Sequence, residues 1–209
     1  MLYYVYMKKL FLLIVFFTVT FNLFANLLNR NSKKIEYNRH ELICTMNKYH
    51  KKYGKGKVNY IEIYATVSYW AKHYDIDLAF ALSFFAIESG FSYECTSSKN
   101  AVGMGQLTKV ALKDFNGWYD KKISFEDLND KNKYDINIMT SLGYIRMCWD
   151  RYSVIQNIDD LIKSYNVGVG NLKKIKNGDY SSNDFWTISA NKYFDKFNEI
   201  YSDFVKCRR

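Results

Sequence analysis

The stretch from Asp77 to Gly90 reads D-L-A-F-A-L-S-F-F-A-I-E-S-G and is apolar almost throughout. An apolar run of this length predicts a helix, because its residues can be buried only inside a protein core. An aspartate before the run can cap the first turn, and Gly90 supplies the helix stop. The run therefore predicts a helix from Asp77 to Gly90 that carries one carboxylic acid, Glu88, at its end.

The surroundings of Glu88 indicate an unusual acid. Burial against Phe84, Phe85 and Ile87 penalises the ionised carboxylate, and the negative end of the helix dipole adds to that penalty. Such a carboxyl group stays protonated near neutral pH. A protonated acid in an apolar wall can supply the proton that a leaving sugar oxygen needs when a glycosidic bond breaks. The structural alternative is an acid at a frayed helix end that points into water.

A glycine-containing segment follows the acid at residues 97–108. Gly103 and Gly105 flank Met104 and remove side chains where a backbone must pass close to a ligand, while Gln106 supplies both a donor and an acceptor. We interpret the segment as the floor of a site for a polar polymer. A tight turn explains the same pattern equally well.

A second such segment covers residues 163–170, where Tyr165 and Asn166 precede another glycine-rich bend. The other predicted helices are Val58 to Tyr74, Leu107 to Phe115, Asp135 to Tyr152, Asp159 to Ser164 and Ser189 to Lys206. Strand signals are poor. The sequence therefore predicts a mainly α protein.

The motifs occur in an order typical of one enzyme family. They are Glu88-Ser89-Gly90 closing an apolar helix, Ala101-Val102-Gly103 followed by Gln106-Leu107, Asn137-Ile138 with Gly143-Tyr144, Tyr165-Asn166 with Gly168 and Gly170, and Asn191-Lys192-Tyr193 opening the last helix. Over roughly residues 58–205 the chain resembles the soluble lytic transglycosylase catalytic domain, a lysozyme-like family that cleaves bacterial peptidoglycan. The resemblance implies a lysozyme-like fold with a cleft between helical lobes.

The resemblance also implies a reaction that needs one acid. The N-acetyl group of the substrate stabilises the oxocarbenium-like centre, and the same glutamate then deprotonates the C6 hydroxyl, which closes a 1,6-anhydro ring. Glu88 would play both roles, and Tyr165 would hydrogen-bond and orient it. The implied substrate-binding residues are Ser97, Gly103, Met104, Gln106, Asn166 and Tyr193. We expect no metal and no cofactor.

Four positions depart from the family pattern. Val169 stands where the family usually has proline, Val167 where it has alanine, Gly105 where an apolar residue is frequent, and Asn100 where a glycine is common. Asparagine is the non-glycine residue that best tolerates a left-handed backbone, so the last change is physically mild. The chain contains no proline at all, which indicates a compositional bias rather than damage to the site. Since Glu88 is retained, we expect activity.

Composition is consistent with one catalytic domain and an export segment. The chain has 209 residues, of which 48% are hydrophobic, enough for one core of about 150 residues. A basic start followed by an apolar run from Leu10 to Phe24 predicts a signal peptide or membrane anchor over residues 1–28. We assign residues 29–57 to a polar linker or leading helix and residues 58–209 to the catalytic domain. The expected location is the periplasm or cell envelope, with anchoring to the inner membrane as the alternative.

The 30 basic and 21 acidic residues give a net charge of +9. No nucleic-acid-binding motif accompanies this charge, so we expect an anionic polymer of the cell envelope as partner. Peptidoglycan glycan strands, whose peptides carry free carboxylates, fit this description. Two other roles remain open: a water-using muramidase with a second acid such as Glu94 or an aspartate from residues 114–135, and a scaffold that binds peptidoglycan for an envelope-spanning machinery. We expect contact with the membrane only through the amino-terminal segment.

Export would make the four cysteines candidates for two disulfides. Cys44, Cys95, Cys148 and Cys207 allow three pairings, between which the sequence does not choose. Buried free thiols are the alternative. No histidine has the spacing from a cysteine pair that a zinc site requires.

Overall fold

The structure is a computed structural model that describes residues 35–208. Eight α-helices make up most of this part of the chain, and two short 3-10 helices, Asp127–Asn129 and Lys131–Lys133, precede the fifth. The α-helices are α1 (Arg39–Tyr53), α2 (Tyr60–His73), α3 (Leu78–Ser89), α4 (Lys109–Tyr119), α5 (Tyr134–Arg151), α6 (Ile158–Val167), α7 (Val169–Asn177) and α8 (Phe185–Val205). Within the described residues, strand pairing is limited to isolated bridges. The expected mainly α architecture is confirmed.

Polar side chains determine where five of these helices begin. The caps are Asn38, Asn59, Asp77, Thr108 and Asn157, and each accepts hydrogen bonds from backbone N–H groups in the first turn of its helix. These N–H groups have no partner within a helix, so a capping oxygen fixes the start of the helix. The Asp77 cap predicted for the long apolar helix is therefore present, with a 3.0 Å bond from the Phe80 amide.

The predicted apolar helix, α3, lies at the centre of the main core. Nine of its residues are buried, on every side of the helix. Helices α1, α2 and α8 pack around it, and the Phe80 ring lies 5.0 Å from the ring of Phe197 on α8. Because the covering helices come from both ends of the chain, the carboxyl end of α3 meets residues that are distant in sequence. This packing determines the environment of Glu88.

Helix α1 belongs to the same compact unit, which extends from Glu36 onward. Its residues Leu42, Met46 and Tyr49 are buried in the main core. The segment assigned to a linker or leading helix thus contains a packed helix, and the core begins before the boundary expected at residue 58. The amphipathic signal of α1 is weak because its buried side includes the polar residue His50 and its exposed side includes Cys44.

The second glycine-rich segment differs from its prediction. Tyr165 and Asn166 lie in the last turn of α6 rather than in a bend, and the bend falls at Gly168, whose φ is 81°. Helix α7 then begins at Val169, where a loop was expected. The glycine in a left-handed backbone allows two short helices to follow one another directly. Asn100 also has a left-handed backbone, with φ 58°, as its residue type suggested.

The four cysteines are free thiols in this structure. Cys148 and Cys207 are buried, whereas Cys44 is exposed. The predicted signal peptide or anchor at residues 1–28 lies outside the described residues. Between residues 35 and 208, no helix has both the length and the hydrophobicity that a membrane crossing requires.

Candidate functional site

Glu88 lies in the last turn of α3, directly before the helix stop. Gly90 caps the helix in the left-handed conformation, with φ 57° and ψ 37°. Glu88 is half-buried as a residue, and its Oε1 accepts a hydrogen bond from the hydroxyl of Tyr193 on α8. The acid is therefore fixed by a partner and does not extend freely into water.

Desolvation changes the acidity of this carboxyl group. Burial raises the pKa of Glu88 from 4.5 to about 7, while the hydrogen bond from Tyr193 and the charge of Lys196 act in the opposite direction. None of the groups that shift this pKa is a carboxylate. The apolar environment thus dominates, as expected from the sequence, and the acid is half protonated near neutral pH.

Tyr165 has a different partner from the one expected. Its hydroxyl donates to the carbonyl oxygen of Gly105 at 2.7 Å, while its ring packs edge-on against Phe84 with the centroids 4.5 Å apart. The pKa of Tyr165 is raised well above its usual value, first by burial and then by the charge of Glu88. Tyr165 therefore lies in the electrostatic environment of the acid, but the hydroxyl that bonds to Glu88 is that of Tyr193.

The loop between α3 and α4 is held by a buried side chain, Asn137 of α5. Its Oδ1 accepts from the Gly105 amide at 2.8 Å, and its Nδ2 donates to the carbonyl oxygens of Val102 and Leu128 at 3.2 and 2.8 Å. The oxygen of the side chain and both of its N–H donors are therefore used. The Asn137 motif therefore has a structural role, since it fixes the loop against α5.

The same packing explains the two glycines. A Cβ on Gly103 would lie 2.0 Å from Asn137 Nδ2, and one on Gly105 would lie 1.9 Å from Ser141 Oγ. Met104 between them is fully buried. The glycines were expected to allow the close approach of a ligand. In the structure they allow the close approach of α5 to the loop, and the Met104 side chain is part of the main core.

Asn137→Asp is expected to destabilise the protein by about 2–3 kcal/mol. The aspartate has the same shape, but it presents an acceptor to the carbonyl oxygens of Val102 and Leu128, which then lose their donor. Urea unfolding at pH 7 measures the effect. Asn132→Asp serves as the control, because Asn132 is exposed and lies in the 3-10 helix before α5. An equal change in the free energy of unfolding for both variants would contradict this role of Asn137.

Other predicted binding residues also have intramolecular partners. The Ser97 hydroxyl oxygen accepts from the backbone amides of Lys99 and Ala101, which closes a turn. The Gln106 amide donates to the carbonyl oxygens of Cys95 and Gly103, both at 2.9 Å. The Asn166 Oδ1 accepts from Ser189 at 2.8 Å. These bonds orient the side chains.

A cavity of about 750 Å³ lies beside these residues. Gln106, Tyr165 and Asn166 contribute to its wall, and the wall carries three basic side chains and one acidic side chain: Lys99, Arg151, Lys173 and Asp114. Of the predicted site residues, the structure brings Gln106, Tyr165 and Asn166 together at the cavity. Glu88 and Tyr193 do not line this cavity. Tyr165 lines both the cavity and a small void of which Tyr193 forms another wall.

Two features of this site are not predicted by the sequence. Tyr193 was assigned to substrate binding, although it is the hydrogen-bond partner of the acid, 105 positions away in the chain. Lys196, which lowers the pKa of Glu88, lies three residues after Tyr193 and hence on the same side of α8. The spacing of three residues between Tyr193 and Lys196 in the predicted last helix indicates that the two side chains face the same neighbour. Among residues 35–208, no three histidine, cysteine or acidic side chains are grouped as a metal site requires.

Comparison with known proteins gives a family and similar solved structures. The family model described as Transglycosylase SLT domain matches residues 65–187. No curated protein matches the chain. Nine chains of solved structures match, among them an inactive mutant of the lytic transglycosylase Slt from Pseudomonas aeruginosa, with 18% identity and a TM-score of 0.48. That match covers 68% of this chain and 22% of the other, so the chain spans about a fifth of that protein's length. The family match confirms the resemblance drawn from the motifs, and because it covers more than half of the chain, this protein belongs to the Transglycosylase SLT domain family.

Proposed function

We propose that the protein is a peptidoglycan lytic transglycosylase. It would cleave the β-1,4 bond between N-acetylmuramic acid and N-acetylglucosamine and leave a 1,6-anhydro end on the muramic acid. The observation that carries this proposal is the state of Glu88, a carboxyl group with a pKa of about 7 that is held by Tyr193 at the end of a buried helix. Membership of the SLT family supplies the class of substrate.

A pKa near 7 suits a residue that must act first as an acid and then as a base. In the first step Glu88 donates its proton to the glycosidic oxygen, and the leaving sugar departs as an alcohol. In the second step the Glu88 carboxylate takes the proton of the C6 hydroxyl, whose oxygen bonds to C1. A group that titrates near the working pH can change its protonation state in both directions at low cost.

The lack of a carboxylate among the groups that shift the pKa of Glu88 favours the one-acid reaction. Glycosidases that use water generally place a second carboxyl group within about 5–10 Å of the acid. Of the second acids considered, Glu94 is exposed, and Asp114 lines the cavity but is not among the groups that shift the pKa of Glu88. The C6 hydroxyl of the substrate would then take the place of water, so the reaction needs no second acid.

We assign the glycan strand to this cavity, because Tyr165 in its wall also lies in the electrostatic environment of Glu88. Tyr165 and the oriented amides of Gln106 and Asn166 offer polar contacts for hydroxyl and acetamido groups. Arg151 and Lys173 add positive charge on the same wall, which suits the carboxylates of the peptides on the strand. Because peptidoglycan lies outside the cytoplasm, this function requires export, and we assign that role to residues 1–28.

Product analysis on purified sacculi tests the proposal. Digestion followed by mass spectrometry should give anhydro ends, which are lighter by one water than the reducing ends that a muramidase leaves. Detection of reducing ends would show that the protein is a water-using muramidase and not a lyase. Binding of sacculi without any soluble product would contradict both enzymatic functions and would indicate a scaffold that serves an envelope-spanning machinery.

Tyr193→Phe is expected to lower kcat about tenfold and to move the alkaline limb of the kcat/KM profile to higher pH. The hydrogen bond from Tyr193 stabilises the Glu88 carboxylate, so its removal raises the pKa of Glu88. Initial rates on sacculi between pH 5 and pH 9 measure both effects.

Tyr165→Phe is the matched variant for this experiment. It removes the bond to Gly105 but leaves the bond between Tyr193 and Glu88 in place. Its alkaline limb should therefore stay at the wild-type pH, whatever the change in rate. A shift with Tyr165→Phe and none with Tyr193→Phe would restore Tyr165 as the residue that orients the acid.

A further inference from the structure

Two aromatic side chains at the start of α8 border the large cavity. Trp186 forms part of the cavity wall, and the ring of Phe185 packs edge-on against it with the centroids 5.2 Å apart. Phe185 is 66% exposed, which leaves its apolar ring in contact with water. An exposed aromatic surface beside a cavity is typical of a place where a ligand binds.

Lys99, in the loop between α3 and α4, extends over both rings. Its Nζ lies 5.4 Å from the centroid of the Trp186 ring and 6.0 Å from that of the Phe185 ring. Lys99 also belongs to the cavity wall and is itself exposed. Because the face of an aromatic ring attracts a cation, the two rings hold the ammonium group at the cavity without neutralising its charge.

Hydrogen bonds fix both sides of this cluster. The Ser189 hydroxyl of α8 donates to Asn166 Oδ1 at 2.8 Å, which joins the start of α8 to the end of α6. On the other side, the Ser97 hydroxyl oxygen accepts from the backbone amides of Lys99 and Ala101, which closes the turn that carries the lysine. The fold therefore brings the lysine and the two rings together before any ligand binds.

The charge of Lys99 is not balanced by the other side chains of the cavity. Asp114, an acidic residue of the wall, is already paired, since its Oδ1 lies 3.9 Å from Arg151 Nη1. Among residues 35–208, no carboxylate lies within ion-pair distance of Lys99. The wall around Lys99 therefore favours an anionic group.

A ligand that fits this cluster has an apolar face next to a carboxylate. The C–H groups of a pyranose ring form such a face, which packs against an aromatic ring. In a peptidoglycan strand, N-acetylglucosamine carries no anionic group. N-acetylmuramic acid carries a lactyl group, whose carboxyl is either free or bonded to a peptide that has free carboxylates of its own.

We propose that Lys99 and Trp186 form a subsite for an N-acetylmuramic acid unit that carries a carboxylate. The sugar ring packs on Trp186, the carboxylate pairs with the Lys99 ammonium group, and Phe185 extends the apolar surface. This subsite rests on the proposed function, because peptidoglycan supplies its ligand. It makes recognition depend on the charge of the strand, and so distinguishes peptidoglycan from chitin, an uncharged polymer of N-acetylglucosamine.

Calorimetric titration of the full chain with three tetrasaccharides tests the subsite, in a Glu88→Gln background that prevents cleavage. The ligands are a peptidoglycan tetrasaccharide with its peptides, the same tetrasaccharide stripped by an amidase so that its lactyl carboxyls are free, and chitotetraose, which has no carboxylate. Lys99→Met should lower the affinity for the peptide-bearing ligand about fivefold, the upper range for an exposed ion pair. It should leave the affinity for chitotetraose unchanged.

The stripped ligand identifies the source of the carboxylate. A loss of affinity for the peptide-bearing ligand alone assigns the carboxylate to the peptide. A loss that extends to the stripped ligand, or is confined to it, assigns the carboxylate to the lactyl group. Each of these results supports the subsite.

Lys109→Met is the matched control for Lys99→Met. Lys109 is likewise an exposed lysine over an aromatic ring, with its Nζ 5.2 Å from the Phe125 centroid, but it does not line the cavity. Its removal should leave all three affinities unchanged. A loss equal to that of Lys99→Met would show that the charge acts only at long range and would overturn the subsite.

Trp186→Leu tests the contact with the sugar ring. Leucine keeps an apolar side chain at the start of α8 but removes the aromatic face, so the affinity for chitotetraose should fall about tenfold. Urea unfolding checks that the variant retains its fold. An unchanged affinity for chitotetraose would contradict the stacking role of Trp186.

Two results with the exposed Lys99 would overturn the proposal: equal losses of affinity for charged and uncharged ligands, as a purely structural lysine would give, or no loss with either charged ligand. Failure of the proposed function looks different, because the wild-type protein would then release no product from sacculi. The titrations would still report whether this surface distinguishes charged from uncharged strands.

Discussion

Glu88→Gln is expected to abolish turnover on purified sacculi, with a loss of roughly a thousandfold, while the fold and the binding of glycan persist. Glutamine fills the same space, and its side-chain oxygen can still accept the hydrogen bond from Tyr193. It has no acidic proton to give to the glycosidic oxygen, however, and it cannot accept the proton of the C6 hydroxyl. Release of soluble muropeptides measures turnover, and co-sedimentation with sacculi measures binding.

Glu94→Gln is the matched control for this experiment. Glu94 follows the helix stop and is exposed, so the same chemical change there should leave the rate unaltered. A large loss with Glu94→Gln would revive the muramidase with two acids. Lysis by Glu88→Gln at the wild-type rate would remove the acid from the reaction and with it the proposed function.

The central helix illustrates how far the sequence can predict this protein. An apolar run with an aspartate before it and a glycine after it contains its own start, length and stop, so α3 and its Asp77 cap follow from local signals. The direction of the pKa shift of Glu88 also follows from the run, because an acid in an apolar helix is expected to be desolvated, although the burial itself comes from the helices that pack around α3. The helix and its cap thus depend on residues that are close in the chain.

The partners of the site could not be predicted in the same way. Which hydroxyl reaches Glu88 depends on how α8 lies across α3, so the sequence motif indicated Tyr165, whereas the packing brings Tyr193 to the acid. The glycines at 103 and 105 fit a ligand or a neighbouring helix equally well, since a missing side chain does not identify what fills the space.

The same acid should also make the stability of the protein depend on pH. The pKa of Glu88 is about 7 in the folded state and about 4.5 when the chain is unfolded. Between these values the folded protein binds more protons than the unfolded chain, so stability falls as the pH rises through this range. Above pH 7 the ionised carboxylate must remain in its apolar site, which costs free energy.

Glu88→Gln is therefore expected to be more stable than wild type at pH 8, by on the order of 2 kcal/mol, and about equally stable at pH 4.5. This figure is smaller than the full pKa shift implies, because the side chain is partly accessible and water screens its charge. Denaturant unfolding of both proteins at the two pH values measures the difference, in which the titration of all other groups cancels. A difference that is the same at both values would show that Glu88 is not held neutral by its surroundings. The proposed acid would then lack the property on which its first catalytic step depends.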